Sequence, residues 1–136
     1  MVWRLYEHGI CFVDLAPLAD PRLIPSALAA ALGVAVADDP TEGVIAFLSD
    51  QRMLVVCDSC EHVGAAAVLV EKVLKDAPGV DVLATSREPL RAEGEGVYRL
   101  PPLETPPTST GLTAVEALTF QQSSYSSSAR YRAGRR

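Results

Sequence analysis

The sequence predicts an α/β fold, a parallel sheet with flanking helices, and three observations predict it. Short apolar runs ending near an acid or a hydroxyl recur at Gly9–Leu15 (GICFVDL), Met53–Cys57 (MLVVC, followed by Asp58) and Val80–Thr85 (VDVLAT). Segments with helical spacing lie between them, and the connections are short, which implies parallel strands. The 136 residues are 49% apolar but only 6% aromatic, with Ala, Val and Leu dominant. That composition suits strands buried on both faces and packed by small-residue helices.

Gly9–Leu15 reads as a strand ending in an acid, Asp14. Ala16–Pro25 holds three prolines and reads as a turn-rich connection. Ser26–Leu32 (SALAAAL) reads as a helix started by Pro25 and Ser26 and ended by Gly33. After a polar loop at Ala37–Pro40, Thr41 is the expected N-cap of a short helix through Leu48, with Glu42 in its first turn. Met53–Cys57 is the plainest strand, with β-branched residues at its centre. Val63–Asp76 is the plainest helix: Val63, Ala67, Val70 and Leu74 share one face, and Glu71 and Lys75 form an i,i+4 pair on the other. Pro78 and Gly79 stop it. Val80–Thr85 is the next strand. Val97–Leu100 is the last, closed by Pro101 and Pro102.

Charge is unevenly spread. Residues 1–120 hold all 17 acids and 8 of the 12 bases, whereas 121–136 hold four arginines and no acid. The acidic body argues against a broad nucleic-acid-binding face. The basic tail reads as a solvated end or as a contact for nucleic acid or anionic lipid. Three cysteines, Cys11, Cys57 and Cys60, with no secretory pattern in residues 1–9, point to a reducing cytoplasm. No apolar run approaches the roughly 20 residues of a membrane helix, so no membrane partner is expected.

In parallel sheets, ligands bind at the carboxyl ends of the strands. Here those ends carry Asp14, Asp58, and Ser86 with Arg87. An apolar strand ending in an acid, LVVCD, is the form of a Walker B element: Asp58 would hold Mg²⁺, usually through water, and Mg²⁺ would bridge nucleotide phosphates. Glu61 either polarises an attacking water or favours the dipole of the helix that follows. Arg87 either reaches a γ-phosphate or pairs with Glu88. His62 reads as a packing or capping residue, and His8 has no evident partner. Cys57 and Cys60 form a CxxC with no second pair, which disfavours zinc and leaves packing or redox roles.

Taken together, FVDLAPLADPRLIPSALAAALGV, LVVCDSCEHV and VDVLATSREPLRAEGEGVYRLPPLE resemble the ATPase domain of bacterial STAND-type regulators. Those ATPases are related to the NB-ARC and AP-ATPase group and are fused to winged-helix or LuxR-type DNA-binding domains. The resemblance covers residues 9–104. It implies a P-loop NTPase-type sheet, ATP and Mg²⁺ as cofactors, Asp58 as the Walker B aspartate and Mg²⁺ ligand, Glu61 in the LDNCEH-like segment, and Arg87 as the sensor arginine. Ser59 stands where the family usually has Asn.

The first strand and the phosphate loop of that family are missing, because no G-x-x-x-x-G-K-[ST] occurs in the chain. Residues 1–104 therefore read as a partial nucleotide-binding domain, with an unpaired apolar edge expected beside Val80–Thr85 and a marginal or partner-dependent fold. Residues 105–136 read as a linker and a disordered basic tail, within which Thr113–Phe120 could begin a helix. One choice of codons for Gln121–Arg136, read in a shifted frame, gives the family's AVQLFVERA helix. The expected function is a fragment of the ATP/Mg²⁺ switch of a transcriptional regulator, inactive alone, touching DNA only through a domain absent here. The alternative is a non-catalytic interaction module that pairs with an ATPase paralogue or another chain. A phosphoacceptor receiver domain fits worse, since it lacks the pair of early acids and the closing lysine.

Overall fold

The computed structural model describes residues 5–35, 38–101 and 128–131. The expected helix start at Thr113–Phe120 and most of the linker and tail lie outside them. The chain forms β1 (Ile10–Asp14), α1 (Ile24–Leu32), α2 (Pro40–Leu48), β2 (Leu54–Asp58), α3 (Val63–Asp76), β3 (Asp81–Thr85), β4 (Glu95–Tyr98) and β5 (Ser128–Tyr131). The fold is α/β, with β1, β2 and β3 parallel and in register: Asp14 stands beside Asp58, and Cys57 beside Ala84.

The local chemistry accounts for the element bounds. A single 3-10 turn at Pro21–Leu23, capped by Asp20, leads directly into α1, so that helix starts two residues earlier than its sequence suggests. Gly33 ends α1 at φ 70°, and the amide of Val34 donates back to the Ala29 carbonyl. The cap of α2 is Asp39 and not Thr41. The Asp39 carboxylate accepts from the Thr41 amide at 2.8 Å, and Pro40 fills the first helical position, where no amide is needed.

The expected α3 runs over its predicted residues, and the buried stripe overlaps the expected one at Val70 but is centred slightly to one side of it. Ala66, Leu69, Val70 and Val73 face the core, with Ala67 and Leu74 at its margin. Glu71 accepts from the Glu93 amide at 3.0 Å. The ion pairs among the described residues are Arg22–Asp20 and Arg87–Glu61, so the Glu71–Lys75 pair is not formed. After α3 the chain passes so close to the preceding loop that a β-carbon on Gly79 would lie 2.4 Å from the Gln51 carbonyl oxygen. His8 does have a partner, for its Nδ1 accepts from the Arg52 amide at 2.8 Å and its own amide donates back to Arg52.

Helices cover one face of the sheet. On that face Cys11, Val13, Val55, Cys57, Val82 and Ala84 are buried, and α1 and α3 pack against β1 and β3. On the other face, among the described residues, Ile10 is 47% exposed and Phe12 is 60% exposed. The expectation of strands buried on both faces therefore fails: Leu54, Val56 and Leu83, which share this face with Ile10 and Phe12, are only partly buried.

The full strand order is β1-β2-β3-β5-β4. β5 runs antiparallel to both neighbours, Ala129 pairing with Ala84 on one side and Val97 on the other. Residues 128–131, inside the segment expected to be a disordered tail, thus form a strand. They also pair the edge of β3 that was expected to be bare.

Candidate functional site

The carboxyl ends of β1, β2 and β3 meet at one edge of the sheet, and the loops leaving them stay tied to it. The Leu15 amide donates to the Asp58 carbonyl at 2.9 Å, and the Cys60 amide to the Thr85 carbonyl at 2.8 Å. Asp14 is turned to its own loop, accepting from the Ala16 amide at 2.9 Å.

Asp58 ends β2 and is half-buried. Its Oδ1 accepts from the Thr85 hydroxyl at 2.5 Å, and the same hydroxyl accepts from the Ser59 amide at 2.9 Å. Thr85 therefore fixes both the acid and the start of the loop after it. Ser59 sits at φ 61°, in the left-handed region. That conformation suits Asn better than Ser, because Asn tolerates it at lower cost. The Ser86 hydroxyl donates to the Cys60 carbonyl at 3.3 Å, a second tie between the end of β3 and this loop.

Glu61 lies just ahead of His62, the N-cap of α3, and the first turn of that helix carries no acid. Glu61 is thus near the start of α3, as the dipole reading has it, but outside its first turn. Its Oε2 accepts from the guanidinium of Arg87, with the Nε contact at 2.7 Å. Arg87 pairs with Glu61 across 26 residues of sequence, and not with Glu88 as the alternative had it. The hydrogen bond to Glu61 raises the Arg87 pKa above its already high ordinary value, so this cation is permanent. The pair is surface-exposed and adds little to stability. His62 holds the preceding loop, its Nε2 lying 2.8 Å from the Leu18 carbonyl, and its side chain makes no capping bond to α3.

Asp58, Glu61 and Arg87, separated in sequence, are thus gathered at one sheet edge. Thr85 was visible in the sequence only as a strand end. Its role depends on the parallel register of β2 and β3, which no local pattern discloses. The donor set fits one part of a magnesium–nucleotide site, a strand-mouth carboxylate beside an arginine. It does not fit the phosphate-cradling part: the positive-φ glycines Gly9, Gly33 and Gly94 stand singly in separate turns. Among the described residues no three His, Cys, Asp or Glu side chains group as a metal site.

The three cysteines are free and buried. Burial drives the Cys57 thiol far up, and burial together with the nearby Asp58 and Glu61 charges pushes Cys60 up to about 11. Burial also raises Cys11. Thiols held protonated are poor nucleophiles and poor metal ligands. At pH 8 the folded chain is expected to resist iodoacetamide at all three, as read by mass spectrometry, and to take three labels once unfolded in guanidinium. Labelling of Cys60 in the folded chain at the rate of a free cysteine would show that the thiol is neither buried nor raised.

Known proteins carry similar stretches. A Mycobacterium tuberculosis protein named as an HTH-type transcriptional regulator is 39% identical over 100 residues, which take in 70% of this chain and 11% of that protein. A Mycobacterium bovis protein of the same description matches equally. The chain is similar to a segment of these regulators. An uncharacterised M. tuberculosis protein is 35% identical over 104 residues, 72% of this chain and 26% of its own length. The chain thus spans between about a tenth and a quarter of the relatives it matches. No family model and no solved structure matches. Among the described residues no helix is long and apolar enough to cross a membrane.

Proposed function

We propose that residues 9–104 are part of the nucleotide-binding switch of a STAND/NB-ARC-type regulatory ATPase, a P-loop NTPase-type sheet inactive by itself. The observation that carries this reading is the gathering of Asp58, Glu61 and Arg87 at the mouths of two adjacent parallel strands. The name of the regulators that share the segment supports it from outside the site. In this reading bound Mg²⁺ supplies charge neutralisation for ATP phosphates. Asp58 would hold it, and Thr85 would keep the Asp58 carboxylate aimed. Arg87 is exposed, so a phosphate can compete with Glu61 for its guanidinium. Glu61, once released, becomes available to polarise water. DNA would be reached only through a separate domain of the complete regulator.

Without a backbone cradle or a phosphate-loop lysine, most phosphate-binding energy is absent. Titration calorimetry of the chain with ATP and Mg²⁺ is expected to show no binding down to millimolar affinity. Micromolar binding that disappears in Asp58→Ala would overturn the inactive-alone reading, since the strand-mouth residues would then suffice.

A second reading, a non-catalytic interaction module, is favoured by one specific observation: the apolar sheet face bearing Ile10 and Phe12 has no covering layer among the described residues.

A further inference from the structure

Arg87 stands near the start of residues 86–94, which join β3 to β4 without helix or strand. Among the described residues its guanidinium hydrogen-bonds to Glu61 alone, and its side chain is 82% exposed, so packing does not hold it. Its place is set by the backbone beneath it. Amides in an irregular stretch need partners of their own, and here acids supply them. Glu95, the first residue of β4, turns its carboxylate back along the loop. Its Oε1 accepts from the Leu90 amide at 3.1 Å, and its Oε2 from the Arg91 amide at 2.6 Å. From α3, Glu71 accepts from the Glu93 amide at 3.0 Å. Leu90 and Ala92 are buried on either side of Arg91. Arg91 itself sits at φ 61°, a left-handed conformation that persists only where its surroundings impose it. Two successive amides aimed at one place form a concavity for an anion, and the Glu95 carboxylate fills it.

We propose that Glu95 is a positioning residue for Arg87: its carboxylate braces the loop, and the brace keeps the Arg87 guanidinium at the strand mouth within reach of Glu61. The chemistry requires a carboxylate of this length. An ionised carboxylate has two acceptor oxygens and no donor, one for each amide. Glutamine has nearly the same shape but sets its NH₂ group against one of the two amides, donor against donor. Aspartate falls one methylene short. The use of Arg87 toward a phosphate rests on the switch reading. The brace is read in the chain without nucleotide, so the two fail separately.

The test is heteronuclear NMR of the isotope-labelled full chain, with the Arg87 Nε–H signal assigned by its loss in Arg87→Lys. Its position in Glu61→Gln marks a guanidinium without its carboxylate partner. Glu95→Gln is expected to move the Arg87 signal most of the way to that position. Glu61→Gln is expected to leave the Leu90 and Arg91 amide signals at their parent positions. A brace that served stability alone would lower the urea midpoint of Glu95→Gln and leave the native Arg87 signal unmoved, and that result overturns the proposal. Leu90 and Arg91 amides that shift in Glu61→Gln as far as in Glu95→Gln also overturn it, since the loop would then hang on Arg87 and not hold it. If circular dichroism shows Glu95→Gln unfolded, Glu95→Asp decides in the same readout, and an unmoved Arg87 signal there overturns the proposal.

Discussion

Thr85→Val is expected to lower the unfolding free energy by about 2 kcal/mol, while Thr85→Ser stays near the parent value. Valine keeps the shape of threonine and removes the hydroxyl. That hydroxyl donates to Asp58 Oδ1 and accepts from the Ser59 amide, both half-buried. A hydrogen bond to a charged group contributes about 1.5–3 kcal/mol, and the amide left behind adds a desolvation penalty. Water reaches the site in part, which holds the sum to about 2 kcal/mol. Urea unfolding of the three proteins measures this directly. A Thr85→Val midpoint equal to that of the parent would mean that Asp58 is held by something other than Thr85.

Leu48→Ala is expected to cost about 3 kcal/mol, the loss of transfer free energy plus the cavity left behind. Leu48 and Val44 are fully buried on α2, which packs against both α1 and α3. Three helices converge there, and each is pinned to a different part of the sheet or its loops, so collapse around a void is restricted. Domains of this kind hold about 5–15 kcal/mol in all, so one such change removes a large share. The check is a lower urea midpoint at unchanged slope. A loss below about 1 kcal/mol would show that α2 is not locked into the core.

β1, β2, β3 and α3 were legible because their signals are local, whereas the last predicted strand, Val97–Leu100, forms two residues earlier, at Glu95–Tyr98. LVVCD is an apolar run closed by an acid, and Pro78–Gly79 stops α3 where the sequence says. What misled was chemistry one step from the pattern. Thr41 looks like a helix cap, but Asp39 followed by Pro40 does the same work with a preset backbone angle. The face of α3 was placed slightly off centre, because Ala66 and Ala67, or Val73 and Leu74, are equally apolar, and only the core beneath decides which of each pair is buried deepest. At the site, Asp58, Glu61 and Arg87 were each visible as residue types in suggestive places. Their contacts were not, since Glu61–Arg87 and Asp58–Thr85 are made across 26 and 27 residues by strand register. β5 was invisible for a plainer reason: SARY has neither the apolar run nor the alternation that marks a strand, and only its pairing with β3 and β4 makes it one.

One small contact reaches further than its size suggests. The ring of His62 meets the carbonyl of Leu18, joining the loop that leaves β1 to the loop that leaves β2. With the Leu15 amide on the Asp58 carbonyl and the Cys60 amide on the Thr85 carbonyl, three loops at the strand mouths are stitched into one plate. Asp58 is thereby linked through its own carbonyl to Leu15 and through the following loop to Leu18 and the start of α3, so none of these can shift alone without breaking one of these bonds.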